Sequence, residues 1–73
     1  MSGDRQYEYR ILYKTKGSVN SSYHYYLAYS AEQALSFQEE MANHKEWSIE
    51  TLSIEEKNPY SMEWEDCSEV INK

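Results

Sequence analysis

Few side chains in this 73-residue chain could bind a metal ion or carry out covalent chemistry. His24, His44 and Cys67 are the soft metal ligands, and their separations along the chain match no zinc-site spacing. No serine lies in a nucleophile elbow, and two glycines are too few for a glycine-rich phosphate loop. We therefore expect a protein without catalytic residues, metal, cofactor or small-molecule substrate.

Carboxylates are plentiful, and they fall into three groups: Glu39-Glu40, Glu55-Glu56 and Glu63, Glu65, Asp66. Neighbouring carboxyl groups perform acid–base catalysis when a pocket drives their pKa values apart. Nothing in the sequence indicates such a pocket, and charged side chains are seldom buried. Solvated surface is the interpretation that we favour for all three groups.

The charge is unevenly distributed along the chain, whose formal net charge is −6. Residues 1–16 carry four basic and two acidic side chains, whereas residues 17–73 carry three lysines and eleven acids. Because nucleic acids and anionic membranes both attract clustered cations, this distribution argues against either as a partner. It favours a basic partner, or none.

Tyrosines are concentrated in the first half of the chain, where seven of the eight lie between Tyr7 and Tyr29. They could form a platform on which bases stack. We favour a core of large rings whose hydroxyl groups reach water at the margin. One short helix cannot cover all the rings, so the remainder are expected to form an interaction surface. Its candidate residues are Tyr7, Tyr9, Tyr23, Tyr25 and Trp64.

The segment from Ser30 to Asn43 has a start, an apolar face and an end that together predict an amphipathic helix. Ser30 suits the N-cap, and Gln33 three residues later completes a capping box. The expected buried stripe is Ala31, Ala34, Leu35, Phe37, Met41 and Ala42. Because half of these residues are alanine, we expect bulky side chains to lie opposite them.

Two tyrosine-rich segments before the helix alternate in polarity and predict a β-hairpin. They are residues 7–16 and 21–29, and the turn-rich sequence GSVNSS connects them. The side of the second strand that we expect to face the helix carries Tyr23, Tyr25, Leu27 and Tyr29. The opposite phase remains open, and in it Tyr26 and the small Ala28 would face the helix.

A third strand is predicted from Trp47 to Glu56, where the apolar residues change parity between Ile49 and Leu52. Either both faces of this strand are covered, or a β-bulge near Glu50-Thr51 resets the register.

The last segment, from Ser61 to Asn72, has the spacing of a short helix, with Ser61 as its cap. Pro59 separates this segment from the third strand, because proline cannot extend a central ladder. The apolar residues that recur at helical spacing are Trp64, Cys67 and Val70 or Ile71.

These elements predict a single α+β domain, residues 1–73, in which residues 1–5 are flexible. A right-handed crossover through the helix gives a three-stranded antiparallel sheet in the order 2-1-3. The helix covers one face, and the terminal segment covers the other face or an edge. Because so small a domain buries a modest core, we expect a homodimer. One cysteine and no apolar leader favour the cytoplasm.

The sequence AYSAEQAL, residues 28–35, resembles the strand-to-helix junction A-x-S-x-E-x-A of small β-β-α-β proteins. These proteins include the ribosomal LX-type module and uncharacterised phage and bacterial proteins. The sequence SIETLSIEE, residues 48–56, is similar to the strand that closes such modules. The resemblance implies the same topology and a phage or bacterial origin. The ribosomal modules contact RNA through basic residues, and because the matching region here is acidic, we do not carry that function over.

Three functions remain open at this point. We favour a non-enzymatic protein–protein interaction module that self-associates through a sheet edge or peripheral tyrosines. The alternative is a small acidic antagonist of phage type, because Glu46 to Glu69 holds eight acids and one lysine and could mimic nucleic acid toward a basic protein. The third is an RNA-binding module that uses Arg10, Lys14 and neighbouring rings.

Overall fold

The computed structural model describes residues 5–72, which fold into a sheet and a helical layer. The strands are β1 (Tyr7–Thr15), β2 (Ser21–Ala28), β3 (Ile49–Lys57) and β4 (Trp64–Asp66). Helix α1 (Ala31–His44) connects β2 to β3, and a terminal 3-10 helix (Ser68–Asn72) follows β4. Residues 1–5 were predicted to be flexible, and residues 1–4 lie outside the described residues.

All neighbouring strands are antiparallel, and their order is β2-β1-β3-β4. The predicted α+β class, with one helix and an antiparallel sheet, is therefore confirmed. The predicted number of strands is wrong, because the sheet has a fourth strand next to β3.

The fourth strand forms because residues 58–63 make a tight turn where a helix start was predicted. The Asn58 side-chain oxygen accepts hydrogen bonds from the amides of Tyr60 and Ser61, at 2.8 and 3.0 Å. Met62 adopts a positive φ of 65°. The backbone amide of Asn58 donates a hydrogen bond to the backbone carbonyl of Glu63 at 2.8 Å. Ser61 therefore lies inside a hairpin connection, and the chain returns as β4 instead of beginning a helix.

A β-bulge lies in β3 next to the position predicted for it. Leu12 pairs with Ser53, whereas the following residue, Tyr13, pairs with Thr51, so Leu52 is the additional residue. The predicted position was Glu50-Thr51, immediately before it. The bulge changes the side-chain parity of β3, which lets apolar residues on both sides of it face α1.

Helix α1 begins with the predicted cap. The Ser30 hydroxyl accepts a hydrogen bond from the Gln33 amide at 3.1 Å, and the Gln33 side chain accepts one from the Tyr29 amide at 2.8 Å. The helix ends at His44, one residue beyond the prediction. Its fully buried residues are Ala34, Gln38 and Ala42. Phe37 was predicted in the buried stripe and is instead exposed.

The phase that we favoured for β2 is wrong. Tyr25 and Leu27 are 55% and 61% exposed, whereas Ala28 is completely buried. Two residues connect β2 to α1, so the last residue of β2 lies directly beneath the helix, where there is space for a methyl group. Because of this steric limit, the side chains of Ala28 and Tyr26 face the helix, as in the alternative phase.

The core lies between the sheet and α1, and its buried residues are Tyr9, Ile11, Ala28, Ala34 and Ile54. Cys67, Val70 and Ile71 pack against this core, and burial raises the pKa of the Cys67 thiol. The terminal 3-10 helix thus packs on the same side of the sheet as α1. Of the two places predicted for it, the opposite face is wrong, because within residues 5–72 no helix covers that face. It follows the edge strand β4 and contacts β3 and α1.

Stability is expected to fall at alkaline pH because of Tyr9, whose hydroxyl donates to the Glu56 carboxylate at 2.6 Å. Burial, together with that acceptor, raises the pKa of Tyr9 well above its usual 10.0. The folded state therefore keeps a proton that the unfolded state releases, and this contribution is complete below about pH 10. Above it, the free energy of unfolding should fall by up to about 1.4 kcal/mol per pH unit for this group.

Urea titrations between neutral and alkaline pH measure this dependence. Tyr9→Phe is expected to flatten the alkaline slope, and Tyr60→Phe, at a position 85% exposed, is the matched control. An unchanged slope in Tyr9→Phe would contradict the assignment.

Candidate functional site

The face of the sheet opposite α1, called the open face below, presents side chains from all four strands. Its members follow from the strand register, because residues directly opposite each other in antiparallel strands share a face. They are Glu8, Arg10, Leu12 and Lys14 in β1; Ser21, Tyr23, Tyr25 and Leu27 in β2; Glu50, Ser53, Glu55 and Lys57 in β3; and Trp64 and Asp66 in β4.

Three aromatic rings form a continuous row across the open face. The ring centroids of Tyr23 and Tyr25 are 6.2 Å apart, and those of Tyr25 and Trp64 are 6.0 Å apart. β2 supplies the two tyrosines at alternate positions, and the β3–β4 hairpin supplies the tryptophan from the far side of the sheet. Tyr23 remains 40% exposed and Tyr25 more so, which leaves much of the row accessible to a partner.

Arg10 lies at the centre of this row. Its guanidinium carbon is 4.7 Å from the centroid of the Tyr23 ring and 4.5 Å from that of Trp64. Its Nε atom donates to the Glu55 carboxylate at 2.6 Å, and this hydrogen bond raises the pKa of Arg10. Because two rings and a carboxylate hold the guanidinium, Arg10 fixes the positions of the rings that come from β2 and β4.

Each basic side chain of the open face has an acidic neighbour on the same face. Besides Arg10, Lys14 lies 3.8 Å from Glu50, and Lys57 lies 3.8 Å from Glu8. Three basic and four acidic side chains leave the face with a formal charge of −1. The remaining −5 of the chain's −6 lies elsewhere, so the open face is close to neutral on an acidic protein.

The structure brings together three of the five residues predicted to form an interaction surface, namely Tyr23, Tyr25 and Trp64. Tyr9 is 1% exposed and lies in the core on the α1 side, so it cannot contact a partner. Tyr7 also lies on that side, where it is half-buried against the core. Both belong to the face of β1 that is directed toward α1.

Leu27 belongs to the open face, whereas the alternation of β2 led to the prediction that it lies in the core. The sequence of the partner strand, β1, could have identified the exposed face of β2. Arg10 and Lys14 lie on the same face of β1 as Leu12. A strand face that carries two cations is more readily solvated than buried. The residues of β2 that pair with this parity are therefore the exposed ones.

A partly buried polar cluster lies beneath α1, and no sequence pattern predicted it. The Gln38 side-chain oxygen accepts a hydrogen bond from the Tyr26 hydroxyl and lies 3.0 Å from Nδ1 of His24. Nε2 of His24 lies 3.0 Å from the Tyr13 hydroxyl. Among residues 5–72, the Gln38 amide nitrogen has no hydrogen-bond partner. Burial raises the pKa of Tyr26, so its hydroxyl group keeps its proton and is uncharged. The hydrogen bonds of the cluster explain how polar side chains fit under the helix.

Other kinds of site find little support in the described part of the chain. No three His, Cys, Asp or Glu side chains among residues 5–72 are grouped so that they could hold a metal ion. In the same range, neither helical segment is long and apolar enough to cross a bilayer.

The chain matches no protein-family model, no curated protein and no solved structure. The resemblance to small β-β-α-β proteins therefore remains a prediction, and the function must be argued from the open face itself.

Arg10→Ala is expected to lower the free energy of unfolding by about 1–2 kcal/mol, because it removes two ring contacts and the ion pair with Glu55. Urea unfolding monitored by circular dichroism measures the change. Lys16→Ala, just beyond the end of β1 and exposed, is the matched control and should change stability little. An effect of Arg10→Ala no larger than that of the control would show that Arg10 does not fix the aromatic row.

Proposed function

We propose that this chain is a non-enzymatic protein–protein interaction module that associates with a second copy of itself through the open face. The observation that carries this proposal is the row formed by Tyr23, Tyr25 and Trp64 around Arg10. Tyrosine, tryptophan and arginine are the residues that contribute most of the binding energy at protein interfaces. Here they are adjacent, ordered by contacts with one another, and accessible.

The charge of the open face supports a second copy as the partner. Two molecules that each carry −6 repel one another over most of their surfaces. The open face carries −1, with cations and carboxylates interspersed, so two such faces can approach and exchange ion pairs. Self-association is therefore least opposed where the aromatic row lies.

The size of the core supports the same proposal. Among residues 5–72, the completely buried large side chains besides Gln38 are Tyr9, Ile11 and Ile54, which is a small set for a domain. Chains of this size gain stability from disulfides, metals or association. Cys67 is a free cysteine, and association remains as the source of additional stability.

RNA binding is the competing function for an exposed sheet face with aromatic rings. Phosphate binding requires cations that can displace counterions. On the open face, Arg10, Lys14 and Lys57 each lie within 4 Å of a carboxylate, and acids outnumber them. We therefore propose a protein partner in preference to RNA.

Size-exclusion chromatography with light scattering, from low to high micromolar concentration, tests the proposal. The expected mass approaches twice the 8.7 kDa of the monomer as concentration rises. A monomer at high micromolar concentration would contradict self-association. A salt-dependent mobility shift with single-stranded RNA, in the absence of dimers, would support the RNA-binding function instead.

A further inference from the structure

The two outer strands of the sheet differ in how they are protected against pairing with another chain. β4 has three residues, two of which are acidic, and the Asn58 side chain donates to Glu65 beside it. Short length and charge are common means of protecting an edge. β2 has eight residues, SSYHYYLA, with no Lys, Arg, Asp, Glu or Pro. Among residues 5–72 it pairs with β1 alone, so its outer edge has unpaired backbone groups.

Shallow depressions lie on both sides of the β2 edge. On the α1 side, one of about 280 Å³ is lined by His24, Tyr25, Tyr26, Met41, Lys45 and Trp47. The other, of about 320 Å³, reaches the open face and is lined by Glu8, Tyr25, Tyr26 and Leu27. Successive side chains of a strand point to opposite faces, so a strand added to β2 would place its residues alternately in these two depressions.

The depressions differ in chemistry, and this difference specifies the occupant. Met41 and Trp47 give the α1 side an apolar wall, and the Lys45 ammonium lies 5.1 Å from the centroid of the Trp47 ring. This side therefore suits large apolar side chains and disfavours basic ones. Glu8, whose contact with Lys57 is long at 3.8 Å, gives the other depression a carboxylate that a Lys or Arg of the added strand can also contact. The segment should therefore alternate large apolar residues with basic ones.

The wider charge around the edge also favours a basic segment. The chain as a whole carries −6, and Glu40 of α1 lies beside Met41 on the side toward β2, whereas Glu39 lies toward Ile49 of β3. Pairing of β2 with the β2 of a second copy would bring two chains of charge −6 together, at a cost in repulsion. A basic strand avoids this repulsion.

We propose that the free edge of β2 is a strand-addition site for an extended basic segment of a partner protein, in which Lys or Arg alternates with large apolar residues. This site uses the backbone edge of β2, and it shares Glu8, Tyr25 and Leu27 with the open face through which self-association is proposed. In this proposal, the negative charge of the chain selects an added strand that carries positive charge.

The probe for this proposal is a displayed library of eight-residue segments, the length of β2, in which Lys or Arg alternates with large apolar residues. A matched library carries Asp or Glu at the basic positions. We expect enrichment from the basic library to exceed that from the acidic one at least about tenfold. The selection uses both the natural chain and Tyr23→Ala, which weakens the aromatic row, so that failure here is distinguishable from failure of self-association.

An enriched peptide is then synthesised with N-methyl groups on alternate backbone amides, in the two possible phases. One edge of an added strand bonds to β2 and the other faces water, so one phase should lose binding at least about tenfold and the other should keep it. Trp47→Ala should also weaken binding, whereas Tyr60→Ala, on the β3–β4 hairpin, should not.

The proposal is overturned by an absence of enrichment, by equal enrichment from both libraries, or by peptides that tolerate N-methylation in both phases. Protection from hydrogen exchange that appears on the β4 edge instead of at β2 would overturn it as well.

Discussion

Ile54→Ala is expected to lower the free energy of unfolding by about 2–5 kcal/mol, the range for removing a large aliphatic side chain from a core. Ile54 is completely buried and lies directly opposite Ile11, which is also completely buried. This pair joins the two central strands beneath α1. A domain of this size has a total stability of a few kcal/mol, so the variant should be largely unfolded without denaturant.

Urea unfolding monitored by circular dichroism measures the change. Val19→Ala is the matched control, because Val19 is 96% exposed in the β1–β2 connection and its loss should be nearly neutral. A midpoint for Ile54→Ala close to that of Val19→Ala would show that the core does not lie between these strands and α1.

Tyr23→Ala is expected to weaken self-association about thirtyfold or more, which corresponds to a loss of about 2 kcal/mol. The Tyr23 ring lies beside Tyr25 and under the Arg10 guanidinium, so its removal takes away contact area and loosens the row. The ring is partly exposed, so the folded monomer should persist. Sedimentation equilibrium gives the dissociation constant, and circular dichroism reports the fold.

Tyr60→Ala is the control for this prediction, because it removes the same side chain from the β3–β4 hairpin, outside the open face. Its dissociation constant should equal that of the natural chain. If both variants dimerise equally well, the aromatic row does not form the interface.

Some elements could be predicted from the sequence because their capping residues or their alternation of apolar and polar residues indicate one structure. Ser30 and Gln33 located the start of α1. The Ser30 hydroxyl accepts from Gln33 as predicted, whereas the Gln33 side chain accepts from the Tyr29 amide, one residue before the amide that a capping box uses. In β1 the alternation put Tyr9 and Ile11 on one face; both lie in the core, although Tyr9 was also predicted in the interaction surface. The change of parity in β3 located the bulge to within one or two residues.

The phase of β2 could not be predicted from bulk alone, because both of its faces carry aromatic residues. The face with more rings was expected in the core, yet the steric limit at Ala28 and the polar partner at Gln38 decide the phase. Gln38 lies on the buried side of α1, and its oxygen accepts from Tyr26 on the buried face of β2. A glutamine at the centre of a helix stripe gives no apolar signal, so this arrangement is visible in three dimensions only.

The short C-terminal helix predicted over Ser61 to Asn72 is present only as the 3-10 helix Ser68–Asn72. The first half of that segment was misassigned because its apolar spacing suits two different structures. Trp64 and Cys67 are three residues apart, as on one side of a helix, but in the structure they lie on opposite faces of the sheet. Trp64 packs on Arg10 at the open face, whereas Cys67 packs against the core. The turn at Asn58 and the contacts of Trp64 across the sheet favour the strand, and neither is evident from periodicity.

The open face as an interface between two copies is tested most directly by isotope-filtered NMR on a mixture of labelled and unlabelled protein. Self-association through this face predicts intermolecular nuclear Overhauser effects from the rings of Tyr23, Tyr25 and Trp64. Intermolecular effects confined to α1 or the sheet edges, or none at concentrations where light scattering detects dimers, would contradict it.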